Sequence, residues 1–248
     1  MVKVSIVTVV LNCAPYIAGC IHSVLQQQEA DIEYIVVDGG SLDGTVEIIS
    51  QYLSGISKFI SEKDDGYYSA LNRGIRLATG DVIGILNADD VLADPYVISS
   101  IAGCFRQSTC DAIYGNLVYT ARHDINVVIR NWRSESFLPS SIKYGWMPPH
   151  PTLYLRKEVF NSHGLYARNF GLSADYEMII RLFYKKKIRS VFLNRLIVRM
   201  RSGGVSNRGV KQLYRAVIAD YKVLVFNQVP RPFLALAGKK LRKLKQFI

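Results

Sequence analysis

In the first ninety residues the apolar positions fall into short β-branched runs separated by stretches of helical period. Residues 4–11 (VSIVTVVL) and 32–37 (IEYIVV) read as interior strands, and 58–61 (KFIS) as a shorter third. Residues 82–86 (VIGIL) read as a fourth strand, buried on both faces. Between them, Ile17, Ile21, Val24 and Leu25 recur at helical spacing after Pro15. Val46, Ile49 and Leu53 mark a second helix, and Leu71, Ile75 and Ala78 a third, stopped by Gly80. Four strand–helix alternations predict a parallel sheet with right-handed βαβ crossovers. In such sheets ligands bind beyond the carboxyl ends of the strands.

Those ends carry Asn12, Asp38, Asp64 with Asp65, and Asn87-Ala-Asp89-Asp90. Adjacent carboxylates at a strand end suit a hard divalent cation, which prefers oxygen ligands and shares them with substrate phosphates. Asp89 or Asp90 could also cap the helix expected from Asp94-Pro95 onward. Capping accounts for any one of these acids. It does not predict acids at three successive strand ends.

Beyond the fourth helix (Val97, Ile98, Ile101 and Phe105 inward) the texture changes. Residues 112–115, 127–132 and 153–155 read as shorter strands, and 158–162 as a short helix. Pro148, Pro149 and Pro151 bracket His150 in a loop. A helix over 175–183 turns Met178, Ile179 and Leu182 inward and sets Asp175 at its N-terminal end, where the macrodipole favours negative charge. No repeat or low-complexity linker divides the chain, so the second half is expected to pack on the first.

A length of 248 residues with 49% hydrophobic content is enough for a sizeable core. No run reaches the roughly 18 apolar residues of a membrane span, and the opening residues pass into a strand pattern without a secretory signature. Cys13, Cys20, Cys104 and Cys110 match no zinc or redox spacing and read as reduced thiols of a cytosolic protein. The net charge of +11 is unevenly placed. Residues 1–180 hold 13 Lys and Arg against 19 Asp and Glu, whereas 181–248 hold 18 basic residues against the single acid Asp220. In the tail, Leu213, Val217, Tyr221 and Leu224 keep helical spacing until Pro230-Arg-Pro232. Residues 233–248 then mix large apolar side chains with five cations. Residues 230–248 read as an interfacial segment on an anionic membrane surface, or else as a solvated basic helix packed on the domain.

Six segments in one order, VSIVT with Asn12, VVDGGSLDGT at 36–45, DDGYYSALNRG at 64–74, ATG at 78–80, LNADD at 86–90 and SADYE at 173–177, carry a resemblance. Over residues 2–206 the chain resembles the family-2 inverting nucleotide-sugar glycosyltransferases of the GT-A fold, especially bacterial members that assemble surface polysaccharides. The resemblance implies an α/β fold in residues 1–206, with a nucleotide-sugar half (1–115) and an acceptor half (116–206), followed by a helical basic extension (207–248). It implies a nucleoside-diphosphate sugar donor, a UDP-sugar first, a lipid-linked or polysaccharide acceptor, and Mn²⁺ or Mg²⁺. Asp38, Thr8, Asn12, Asp64, Asp65, Arg73, Asn87 and Asp89 would face the nucleotide. Asp89 and Asp90 would hold the metal, with Asp90 as main ligand, and Asp175 would be the catalytic base. The leading position of the acidic motif is Asn87 rather than an acid. Many relatives carry a histidine late in the domain; residues 199–206 (RMRSGGVS) have none, so Arg201 either neutralises phosphate there or is solvated. His150 would contact acceptor or diphosphate, or is structural. The expected location is the cytoplasmic face of the membrane.

Two other classes compete. A metal-dependent nucleotidyltransferase also sets acids at strand ends, but a Gly-rich basic loop usually follows its first strand, and residues 11–15 (LNCAP) are not one. A non-catalytic nucleotide-binding protein with a nucleic-acid-binding tail would bind oligonucleotides in a salt-sensitive way. The apolar tail residues argue against nucleic acid as a partner.

Overall fold

The computed structural model describes residues 1–203, 210–244 and 246. Residues 204–206 of the late segment, the side chain of Leu213, and Lys245, Phe247 and Ile248 of the tail lie outside the described residues. Strands β1 (Lys3–Val10), β2 (Asp31–Asp38), β3 (Lys58–Ser61) and β4 (Val82–Ile85) form the parallel part, in the order β3-β2-β1-β4. The register pairs Val10 with Asp38 and Asp38 with Ser61, so three strands end level. Val7, Val9, Ile35, Val37 and Ile83 face one core cluster, while Val4, Ile6, Val10, Val36 and Val82 face the other. This double burial is why the strands read as unbroken apolar runs.

Helices α1 (Ala14–Leu25), α2 (Thr45–Ser50) and α4 (Val97–Gln107) cover one face. Helices α3 (Tyr67–Leu77), α5 (Lys157–His163) and α6 (Ala174–Ile179) cover the other. Two apolar positions expected inward are exposed: Leu25 at 39% and Leu53 at 45%. Helix α2 stops at Ser50, whose hydroxyl bonds back to the Val46 carbonyl, and a 3-10 turn at Leu53–Gly55 carries Leu53 outward. The helix expected over 175–183 changes form after Ile179 and runs on as a π-helical segment, Ile180–Lys185.

After α4 the sheet continues with mixed sense. Strand β8 (Tyr154–Arg156) runs antiparallel to β4, β6 (Ala112–Thr120) antiparallel to β8, and β9 (Ser190–Arg201) parallel to β6. The short β5 (Val91–Leu92) closes the edge on β9, and β7 (Val128–Trp132) hairpins onto β6. Pairing with β9 extends β6 five residues beyond the reading of 112–115. The sheet thus passes without a break from the first half into the second.

The basic tail folds as α7 (Val210–Phe226) and α8 (Pro232–Leu244), split at the expected prolines. Val223, Leu224, Val229 and Ala235 join the same core cluster as Tyr114 and Trp146. Asp220, the tail's one acid, accepts from Ser173 Oγ at 2.8 Å and from Lys239 Nζ at 2.7 Å. Lys239 also lies 3.7 Å over the Tyr176 ring. Helix α8 can come this close because two glycines meet. A Cβ on Gly145 would fall 2.0 Å from the Lys239 nitrogen, and one on Gly238 would fall 2.2 Å from the Tyr144 oxygen. Gly238→Val is therefore expected to destabilise the fold by about 1–3 kcal/mol, read as a lower urea midpoint; an unchanged midpoint would show that α8 contributes nothing to the core.

Candidate active site

The sequence places two acids at the end of β4, and the fold surrounds them. Asp90 is fully buried; its Oδ2 accepts from Asn87 Nδ2 at 2.8 Å and its Oδ1 from the Arg201 backbone N–H at 3.0 Å. Burial, and then the charge of Asp89, push the Asp90 carboxyl up to about 8. Asp89 keeps a side chain 23% exposed and meets Arg122 Nη1 at 2.5 Å. Accessibility thus runs opposite to the expected division, in which Asp90 was the main metal ligand: Asp89 is the member that reaches open space. Asn87 accepts from the Tyr67 hydroxyl at 2.9 Å, so the non-acidic position links the strand end to α3.

At the end of β2, Asp38 is fully buried and accepts from the N–H groups of Gly40 and Ser41 (both 3.0 Å), from Ser41 Oγ (2.5 Å) and from Ser61 Oγ (2.7 Å). Its side chain shapes the loop after β2 rather than reaching outward. Asn12, at φ 51°, closes the same loop by accepting from the Leu42 N–H at 2.9 Å. Thr8 lies beneath, accepting from the Tyr34 hydroxyl at 3.2 Å. A Cβ on Gly39 would sit 2.6 Å from Asp64 Oδ2, so a side chain there would push the Asp64 carboxylate aside. Asp64 caps the Gly66 N–H at 2.7 Å. Asp65 and Arg73 stand further out, paired with Arg168 at 4.0 Å and with Glu62 at 2.8 Å. Cys13, beside this loop, is an inert thiol, pushed up to about 12 by burial and by Asp89.

The facing wall comes from the second half. Asp175 lies in the first turn of α6, and its backbone N–H donates to the Tyr68 hydroxyl at 3.3 Å. Tyr68 stacks on Tyr166 at 5.6 Å, and the Tyr166 hydroxyl meets His150 Nε2 at 2.7 Å. Burial holds the His150 imidazole below its ordinary value, against the pull of Asp175. The Tyr166 loop is held by Asn72, whose amide both donates to and accepts from the Tyr166 backbone at 2.9 and 3.0 Å. It is held again by Arg181, which pairs with buried Glu177 at 3.0 Å and donates to the Leu165 carbonyl at 2.8 Å. Desolvation, and then the charges of Asp175, Asp90 and Asp89, raise the Tyr67 phenol above its usual range.

Contacts thus link Asn87, Asp90 and Arg201 with Asp89 beside them, and tie Asp175 and His150 to α3 through Tyr68 and Tyr166, with Asp38, Asn12 and Asp64 in the adjoining loops. Tyr67, Tyr68, Tyr166 and Arg122 are the participants that the sequence pattern left unassigned. The tyrosines at 67 and 68 lie inside a motif already singled out; Arg122 lies in a turn with no periodic signal. The donor set of Asp89 and Asp90 suits Mn²⁺ or Mg²⁺, being all oxygen. Among the described residues no group of three or more His, Cys, Asp or Glu could hold a metal by itself. One or two carboxylates completed by phosphate and water is the usual arrangement for these ions.

The fold matches solved glycosyltransferase structures across nearly the whole chain. Staphylococcus aureus TarS (residues 1–349, in complex with UDP) aligns with a TM-score of 0.67 at 16% identity, covering 98% of this chain and 72% of that one. The mannosyltransferase PcManGT of Pyrobaculum calidifontis, in complex with GDP-Man and Mn²⁺, aligns with a TM-score of 0.65 at 17% identity, covering 96% and 69%. The architecture is the GT-A fold of nucleotide-sugar glycosyltransferases. Residues 5–176 match the glycosyl transferase family 2 pattern, and the chain belongs to that family. A PGL/p-HBAD biosynthesis glycosyltransferase of Mycobacterium tuberculosis is 26% identical over 209 residues, 82% of this chain and 78% of that protein.

The raised Asp90 has a consequence for stability. A carboxyl whose folded pKa lies above its unfolded value stabilises the fold fully below the unfolded pKa, and that contribution is lost as pH rises through the folded one. Between about pH 4 and pH 8, metal-free protein is expected to lose stability relative to Asp90→Asn, followed by thermal melts across that range. Parallel pH profiles of the two proteins would contradict the assignment.

Proposed function

We propose that this protein transfers a glycosyl group, with inversion, from a nucleoside-diphosphate sugar, a UDP-sugar first, to a lipid-linked or polysaccharide acceptor in surface-glycan biosynthesis. The observation that carries the reading is the chain of contacts between the two halves: the Tyr67 hydroxyl donates to Asn87 beside Asp89 and Asp90, and the adjoining Tyr68 hydroxyl accepts from the Asp175 N–H. Asp89, the accessible acid, and Asp90 behind it would hold Mn²⁺ or Mg²⁺, which when bound neutralises the departing diphosphate. The loop held by Asp38 and Asn12, with Gly39 close against Asp64, offers the nucleoside a narrow backbone-lined cradle. Thr8 supports its floor, and Asp65 and Arg73 stand at its rim. On the opposite wall Asp175 takes the proton of the acceptor hydroxyl as that oxygen attacks the anomeric carbon. The new C–O bond forms while the bond to the diphosphate breaks, so a single displacement inverts the centre and needs no enzyme nucleophile. His150, held by Tyr166, limits where the acceptor can lie, and Arg201 adds positive charge on the diphosphate side. The neighbours solved with UDP, and with GDP-Man and Mn²⁺, support the donor class; the PGL/p-HBAD name of the mycobacterial relative supports a glycolipid-type acceptor.

Asp175→Asn is expected to lower kcat by about 10²–10⁴ while leaving the Mn²⁺-dependent thermal shift by nucleotide sugar in place. Asp89→Ala is expected to abolish that shift. Transfer that survives both substitutions would remove the assigned roles, and a protein stabilised by no nucleotide sugar would remove the reading as a whole.

The tail supports attachment to an anionic membrane surface through residues 230–248. No described helix is long and apolar enough to cross a bilayer. Helix α8 nevertheless leaves Phe233 72%, Leu241 62% and Leu244 63% exposed beside the exposed Lys240 and Lys243, a pattern suited to lying on anionic lipid. The cytoplasmic face is the location this implies. Because Ala235 and Gly238 are packed into the domain, deleting α8 would also open the core, so point substitutions are the cleaner test. Serine at 233, 241 and 244 together is expected to abolish cosedimentation with phosphatidylserine vesicles at an unchanged melting temperature; undiminished cosedimentation would exclude this surface.

A further inference from the structure

Asp89 has a protein cation as its partner. The Arg122 guanidinium, in the turn between β6 and β7, meets Asp89 Oδ2 at 2.5 Å and lies 4.2 Å over the Tyr16 ring. Arg201, at the end of β9, lies 5.0 Å over the same ring and donates to the Arg122 carbonyl at 3.1 Å. Its Nε is buried without a hydrogen-bond partner among the described residues. One aromatic ring thus holds two guanidiniums beside two carboxylates, and cation–π attraction keeps both in place.

A guanidinium fixed on Asp89 takes one of its oxygens and the space beside it, which a divalent cation would also need. We propose that Arg122 and the divalent cation are alternative partners of Asp89, and that the nucleotide's diphosphate makes the exchange favourable by giving the released guanidinium new oxygens. The proposal rests on the metal and nucleotide reading given above and adds an order of events. A divalent ion alone would add two positive charges beside two guanidiniums and leave Arg122 displaced without a partner. Entering with a diphosphate, the ion brings its own compensating charge, and Arg122 and the orphaned Arg201 Nε face acceptor oxygens. Metal and nucleotide therefore load together, and metal alone binds weakly. Arg122 acts on this equilibrium and not on the reacting bond.

The test is calorimetric titration of the full chain with MnCl₂, alone and with saturating UDP, for wild type, Arg122→Met and Arg122→Lys. Losing a partly exposed ion pair corresponds to about fivefold in affinity. Arg122→Met is expected to bind Mn²⁺ alone at least about fivefold more tightly than wild type, and UDP is expected to improve its Mn²⁺ affinity by a smaller factor. Arg122→Lys keeps the charge and is expected to stay near wild type. Mn²⁺ affinity in Arg122→Met equal to or weaker than wild type, at an unchanged melting temperature, would overturn the proposal. Equal tightening in Met and Lys variants would overturn it too, since charge would then be irrelevant. If wild type binds Mn²⁺ with UDP while Arg122→Met behaves identically, the metal site stands and only the role of Arg122 falls. Absence of Mn²⁺ binding in every form, with and without UDP, removes the metal site and this proposal together.

Discussion

A pair of carboxylates at the end of a strand buried on both faces has to be compensated, and much of the second half of this protein follows from that constraint. Asp90 has no solvent exposure, and an uncompensated charge in such a position is costly. Its partners come from three places in the chain: Asn87 in its own loop, the Arg201 N–H at the end of β9, and, through Asp89, Arg122 in the β6–β7 turn. The mixed half of the sheet is what brings them there. Strand β9 runs parallel to β6 and closes on β5, the two-residue strand immediately after the acids. A purely parallel sheet of four strands would present the acids and leave them unanswered.

The opposite wall is built on a different principle. Helix α3 places Tyr67 and Tyr68 toward the strand end, and one turn later sends Asn72 to the Tyr166 backbone. Glu177 on α6 and Arg181 in the π-helical segment after it hold the same loop from the other side. The proposed base, Asp175, is therefore located beside a loop that buried polar contacts fix in two places, each costly to leave unsatisfied. Asp220 carries the positioning into the tail, tying Ser173, just before α6, to Lys239 on α8. The proposed displacement needs the base and the leaving group on opposite sides of one carbon, and the elements that would supply them are set respectively by helix–loop hydrogen bonds and by sheet register.

How much of this was legible in the sequence follows from the same physics. The parallel half was readable because two-sided burial writes continuous apolar runs, and level strand ends collect polar residues in sight of one another. Strand β9 escaped notice because most of Ser190–Arg201 is only half-buried, so polar and basic residues break its pattern. Leu53 misled because a helical period continued past the point where Ser50 and a 3-10 turn ended the helix. Asp38 was marked as a nucleotide contact, and the structure gives its oxygens four protein donors; composition at a strand end cannot tell a side chain that meets ligand from one that shapes the loop that does. The tail's cations were obvious. That its single acid would be a link between α6 and α8 was not, since that depends on packing across fifty residues.

The arginines bear most directly on how the site works. On the proposed reading the site admits a divalent ion, and resident cations would oppose the ion and favour the anion that accompanies it. Arg122 and Arg201 both lie over the Tyr16 ring, which would keep them from being lost to solvent when the ion arrives. In the proposed exchange their charge would be redistributed between carboxylate and phosphate, first balancing Asp89 and then facing the diphosphate as negative charge builds there. Asn87 fits this arrangement. An acid in its place would add a third negative charge within reach of Asp90, whose carboxyl is already pushed up by burial and by Asp89. An amide donates to Asp90 and still accepts from Tyr67, so the departure from an all-acidic motif lowers the charge that has to be compensated while preserving the contact between the two walls.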